Sequence, residues 1–128
     1  MDIAYLFATY LENAGFGVLN TDIFAGQLPS DQSGLYVYRA GGQMHMYLPI
    51  EEAIVDIYTV NTQASEAITT LENIKRYIHR MHNTSIGEAY VYTFLVLGDI
   101  EDVDRDLEYR KIFKLSVQVK HRDTELIS

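Results

Sequence analysis

Close to its C-terminal end the chain alternates strictly between apolar and polar side chains. Phe113, Leu115, Val117 and Val119 are interleaved with Lys114, Ser116, Gln118 and Lys120. A period of two sends all four apolar groups to one face of a strand and all four polar groups to the other. Such a strand belongs in an antiparallel sheet with one face covered and one face wet. The buried face needs an apolar layer over it, and two stretches of helical periodicity supply one.

The first runs from Asp2 to Ala14, where Ile3, Leu6, Phe7, Tyr10, Leu11 and Ala14 form a single stripe. Asp2 suits the N-cap, and Gly15 and Gly17 stop the helix. The second runs from Gln63 to His82, with Ala64, Ala67, Leu71, Ile74, Ile78 and Met81 on one face, widened by Ile68. Glu66, Glu72, Lys75, Arg76 and Arg80 lie opposite, acids early and bases late, as the helix dipole favours. Asn61 or Thr62 caps this helix, Glu72 and Arg76 make an i,i+4 pair, and Asn83 ends it in the left-handed conformation.

The remaining strands are Asp22–Gln27, Gly34–Ala40, Glu52–Asn61 and Glu88–Leu97, with the alternating strand spanning Tyr109–His121. Turn formers from Pro29 to Gly34 separate the first two, and Gly41-Gly42 breaks the second. In Glu88–Leu97 the residues Ala89, Val91, Leu95 and Leu97 alternate with Glu88, Tyr90, Tyr92 and Phe94, so its second face is aromatic. The element order is α-β-β-β-α-β-β. The expected fold is α+β: one mixed, mostly antiparallel sheet of four to five strands with two helices on one face. The crossover through the second helix is the place where a parallel pair would arise.

Length, at 128 residues without a linker or repeat, argues for one domain spanning 1–128. The absence of Cys removes disulfides, thiolate zinc sites and cysteine nucleophiles. Eighteen acidic residues against ten basic ones, a net charge of -8, disfavour general binding to nucleic acid or anionic membranes. No apolar run reaches the roughly 20 residues of a membrane span, and Met1-Asp2 carries no basic leader.

Motifs for catalysis are sparse. His79 and His82 have a helical ligand spacing but no third ligand and basic neighbours, so a solvated helix end is the simpler reading. Asp102, Asp104 and Asp106 alternate as in a calcium loop, but Leu107 stands at the glycine position and Phe113 at the glutamate position. The stretch Gly98–Glu108 holds six acids against Arg105, a local net of -5, and reads as a solvated loop between strands or a surface that repels DNA. Gly41-Gly42-Gln43 and Gly15-Phe16-Gly17 lack a phosphate-loop context. Ten tyrosines are present without a Trp. Tyr36, Tyr38, Tyr58, Tyr90 and Tyr92 share even strand positions, which places them on the sheet face away from the helices. Such a face suits self-association, although tyrosine also tolerates a half-exposed sheet.

These elements in this order resemble tail terminator (minor capsid, head-tail joining) proteins of long-tailed bacteriophages. The resemblance is carried by Ile3-Ala4-Tyr5-Leu6-Phe7 through Leu11 and Gly15, and by Asp22-Ile23-Phe24. It continues through Val55-Asp56-Ile57-Tyr58, Leu71 to His79, and Phe113 to Val119. It implies a structural virion protein, assembled in the host cytoplasm, that closes into a hexameric ring on the tail tube. The ring would end tube polymerisation and meet the head-completion or stopper protein, with DNA passing through unbound. It implies no enzyme activity, metal or cofactor. On that basis Tyr90, Tyr92, Asp99, Glu101, Asp102, Asp104, Asp106 and Glu108 are candidates for subunit contacts or the lumen. Another head-tail connector protein, a cellular homodimer, and a small ligand-binding or hydrolytic α+β domain remain as alternatives.

Overall fold

The computed structural model describes residues 3–29, 32–44, 50–61, 63–79, 82–86, 89–105 and 111–123. Two helices, α1 (Ile3–Asn13) and α2 (Ala64–His79), accompany strands β1 (Ile23–Ala25), β2 (Gly34–Met44), β3 (Glu51–Asn61), β4 (His82–Ile86), β5 (Ala89–Arg105) and β6 (Lys111–Asp123). The sheet order is β1-β2-β3-β6-β5-β4. The α+β class and the mixed, mostly antiparallel sheet are those expected. The short edge strand β4 joins the strands anticipated from periodicity.

The strands with the clearest binary patterns, β3 and β6, occupy the centre and pair from Glu51↔His121 to Asn61↔Lys111. Ala53, Val55 and Ile57 of β3 and Phe113, Leu115, Val117 and Val119 of β6 point to one face. There they meet Ile3, Ala4, Phe7, Ala8 and Leu11 of α1 and Ala67, Leu71, Ile74 and Ile78 of α2 in one continuous core. Both helical stripes therefore cover the same side of the sheet. Burying each of these larger side chains contributes about 1.5–3 kcal/mol relative to exposure.

The helix ends follow local chemistry. Gly15, at φ +91°, lets Phe16 N–H reach the Leu11 carbonyl (3.1 Å) and Gly15 N–H reach that of Glu12 (3.0 Å). These two bonds are the Schellman arrangement, which satisfies carbonyls left over at the end of α1. The Glu12 carboxylate takes the Leu19 N–H, and that of Asp22 takes the Val18 N–H at 3.0 Å, tying down the turn into β1. Before α2, the Asn61 side-chain oxygen accepts the Gln63 N–H at 2.9 Å.

Several local expectations are corrected. β1 lies parallel to β2, Ile23↔Leu35 to Ala25↔Val37, so the parallel pair comes from the short return between these strands and not from the α2 crossover. Gly41-Gly42 does not break β2. The register slips between Arg39 and Gly41, and the strand continues to Met44. α2 ends at His79, and His82 and Asn83 lie in β4 instead of extending or capping the helix. The supposed acidic loop is strand as far as Arg105, paired with the start of β6 across two bulges. No ion pair joins Glu72 and Arg76 among the described residues, which leaves both charges to solvent.

One further shift affects the surface. A bulge between Val91 and Thr93 in β5 inserts Tyr92 opposite β6 and reverses the alternation beyond it. Phe94 consequently turns into the core and Leu95 turns outward, opposite to the simple period-two expectation.

Candidate assembly surface

The face away from the helices is built from the even positions of β2 as far as Tyr38, from those of β3 and β6 and, through the bulge, from Tyr90, Tyr92, Leu95 and Leu97 of β5. The tyrosines share this face as expected, but their environments differ. Tyr36 is fully buried. Its ring stacks on Phe24 at 5.0 Å and its hydroxyl donates to the Gln32 carbonyl at 2.6 Å. The chain before β2 thus covers that corner, and Tyr36 offers nothing to a partner.

At the centre, the Asp56 carboxylate is buried and accepts the Ser116 hydroxyl at 2.6 Å. Lys114 sits on the same face and bridges to Glu101 at 3.4 Å. Burial pulls the Lys114 pKa down, but Asp56 and then Glu101 outweigh it and hold the ammonium above its ordinary value. Burial and the nearby Asp56 charge raise the Tyr58 hydroxyl.

At the β4 end of the sheet, Tyr90 and Tyr92 meet edge to face, ring centres 5.2 Å apart. Arg122, whose Cα pairs with that of Tyr90, lays its guanidinium over both rings at 5.0 and 5.7 Å from their centroids. This is a cation–π arrangement favoured by arginine's planar head. The Arg122 Nε is buried and makes no hydrogen bond among the described residues.

The acids occupy the other end of β5. Asp99 is exposed and its carboxylate accepts the Ile100 N–H at 2.8 Å. Glu101 pairs with Lys114 and Asp102 with Lys111 at 3.8 Å, both acids largely exposed. Such exposed pairs contribute about 1 kcal/mol or less. Asp104 has its backbone in β5, while Asp106 and Glu108 lie outside the described residues. The structure therefore brings Tyr90 and Tyr92 together but keeps them apart from Asp99, Glu101 and Asp102. Sequence reading missed Arg122, because its place over the rings depends on the β5–β6 register.

Both flanks of the sheet carry open edges. Among the described residues, β4 pairs with β5 only as far as Thr93, and β1 pairs with β2 only from Leu35 to Val37. Among the described residues, the outer edges of β5 toward Arg105 and of β2 toward Met44 have no strand beside them, and an unpaired edge is a template for another chain.

Sites for small molecules are weakly developed. A cavity of about 300 Å³ opens between the α1–β1 turn, the adjoining ends of β2 and β3, and α2, but Asp22 and Asn61 in its wall already accept the backbone N–H groups described above. No group of three His, Asp or Glu that could hold a metal ion exists among the described residues. His79 closes α2 and His82 opens β4, so the two do not share a helix face. No helix among the described residues is long and apolar enough to cross a membrane.

Beneath the sheet, Tyr10 stacks on Phe94 at 6.0 Å and leans on Tyr77 at 5.6 Å. Its hydroxyl is buried without a well-formed hydrogen bond, and burial, then the neighbouring Tyr77, push its pKa well above the usual phenol range. Tyr10, Tyr58 and Lys114 all have raised folded-state values, so their stabilisation is intact below about pH 10, their unfolded range. It is lost as pH rises above that range. Stability should hold to about pH 10 and then fall. Tyr10→Phe, which removes the buried hydroxyl, should leave neutral-pH stability within about 0.5 kcal/mol and weaken that alkaline fall. Urea titrations at pH 7, 9 and 11 check both.

A family model described as bacteriophage tail terminator protein matches residues 10–122. No curated protein matches the chain.

Proposed function

The chain belongs to the bacteriophage tail terminator protein family, and from that premise we propose that it closes into a hexameric ring that caps the tail tube. It is a structural protein of the phage tail and a component of the virion, and it interacts with other tail or head proteins. The ring ends tube polymerisation, offers its free surface to the head-completion or stopper protein, and lets DNA pass without specific contacts. Assembly takes place in the host cytoplasm. The whole chain, 1–128, acts as one domain.

The family match over 10–122 carries this reading. The surface supports it. A ring needs heterologous contacts, in which one patch meets a different patch on the neighbour. The open edges of β2 and β5 are unlike one another, one bearing Arg39 and the glycine pair, the other bearing acids. Tyr90 and Tyr92 lie at subunit contacts. Asp99, Glu101, Asp102, Asp104, Asp106 and Glu108 lie at contacts or along the lumen, where negative charge would keep DNA from adhering. The chemistry is that of shape and charge, with no catalytic step, metal or cofactor.

Phage assembled without this protein should yield tails of unregulated, excessive length that fail to join heads. Electron microscopy of lysates, with the protein supplied in trans as the control, measures this directly. Tails of normal length, joined to heads, would overturn the proposal.

A further inference from the structure

We infer that the Arg122 guanidinium, held on Tyr90 and Tyr92, receives a carboxylate from the acidic end of β5 in a second copy of this chain. The inference rests on the ring reading and names a contact within it.

Arg122 differs from the neighbouring cations of this sheet. Arg39, Lys111, Lys114 and Lys120 each have an acid within 4 Å: Glu51, Asp102, Glu101 and Glu52 respectively. Arg122 has none among the described residues. It lies instead over two aromatic faces, and its Nε is buried without a hydrogen bond among the described residues. The two ring faces hold the guanidinium, 5.0 and 5.7 Å from their centroids, and its remaining N–H groups, beyond the buried Nε, suit a carboxylate. Tyrosine and arginine are also the residue types that dominate binding energy at interface centres.

The chain itself supplies the complementary group. Acids outnumber bases, 18 to 10, and the densest acidic stretch is the far part of β5. Glu101 pairs across from Lys114 and shares the face of Tyr90 and Arg122. Asp99, two residues away, is exposed and, among the described residues, engages only its neighbour's N–H. Tyr90 and Glu101 pair with Arg122 and Lys114, eight positions apart on β6, roughly 26 Å at strand rise, so the two ends cannot meet within a single copy. A basic aromatic patch at one end and an acidic patch at the other make an unlike pair, as a head-to-tail contact requires.

The test is charge reversal with mixing. Arg122→Glu makes both patches negative, and Asp99→Lys with Glu101→Lys makes both positive. Each variant alone should assemble at least about tenfold more weakly than wild type, by sedimentation velocity of the full chain with tail tubes present. An equimolar mixture should recover assembly, because opposite patches then alternate round the ring. Higher salt should weaken wild-type assembly.

Either variant assembling as wild type overturns the inference, as does failure of the mixture to recover while both variants keep the wild-type melting temperature. If a reversal variant loses its fold, Arg122→Gln and Asp99→Asn with Glu101→Gln take their place. Each should assemble several-fold more weakly and with a flatter salt dependence, and unchanged assembly overturns the contact. A wild-type chain that stays monomeric beside tube ends defeats the ring reading itself, an outcome distinct from failure of the variants.

Discussion

Phe94→Ala should lower the unfolding free energy by about 3 kcal/mol, while Leu95→Ala beside it should change it by no more than about 0.5 kcal/mol. The Phe94 side chain is only 7% exposed, against 53% for Leu95. The Phe94 ring meets Phe7 edge-on at 5.6 Å and stacks on Tyr10 at 6.0 Å, tying β5 to α1. Truncation to alanine leaves a cavity between those rings that the rigid helix–sheet packing cannot fully close. Leu95 lies opposite Gln118 on the outer face and loses little when shortened. The contrast is a direct test of the bulge at Tyr92, because an unbroken alternation would exchange the two results. Urea midpoints for the two variants decide it.

The same bulge shows which parts of the molecule were legible from sequence. The central strands and the helices were readable because their patterns are local and strong: Phe113 to Lys120 alternates without error, and both helices carry continuous stripes. The reversal within β5 was not, because Tyr92 is ordinary strand material and nothing in its neighbours announces an inserted residue. β4 was hidden by composition. His82-Asn83-Thr84-Ser85-Ile86 is short and polar, and Asn83 reads as a helix stop. It becomes strand through pairing with β5, a tertiary effect. The acids of Asp99 to Asp104 argued for a loop on propensity, yet Lys111 and Lys114 on the partner strand neutralise two of them across the ladder. Of the assembly surface, the shared face of the tyrosines followed from even numbering alone. The burial of Tyr36 depended on the path of the chain before β2, and Arg122 over its two rings depended on a non-local register.

At the other flank, Gly42→Ala should cost about 2 kcal/mol or more, whereas Gly41→Ala should be nearly neutral or slightly stabilising. Gly42 adopts φ +136°, a backbone region that side chains disfavour. A Cβ there would collide with the Glu52 carbonyl oxygen and stand 2.8 Å from the Ala53 Cα, both backbone atoms of β3. Neither can move without pulling apart the ladder that Gly42 makes opposite Ala53. Gly41 has open space where its Cβ would project, and its φ lies outside the left-handed region. The register slip after Arg39 explains why the two glycines are not equivalent, since it turns Gly42 inward against β3. Thermal melts and urea midpoints of the two variants give the comparison, and equal effects would mean that β2 does not press on β3 at this point. Because the bulge also shapes the open β2 edge that the proposed ring uses, Gly42→Ala should weaken assembly on tail tubes as well, while Gly41→Ala should leave it intact.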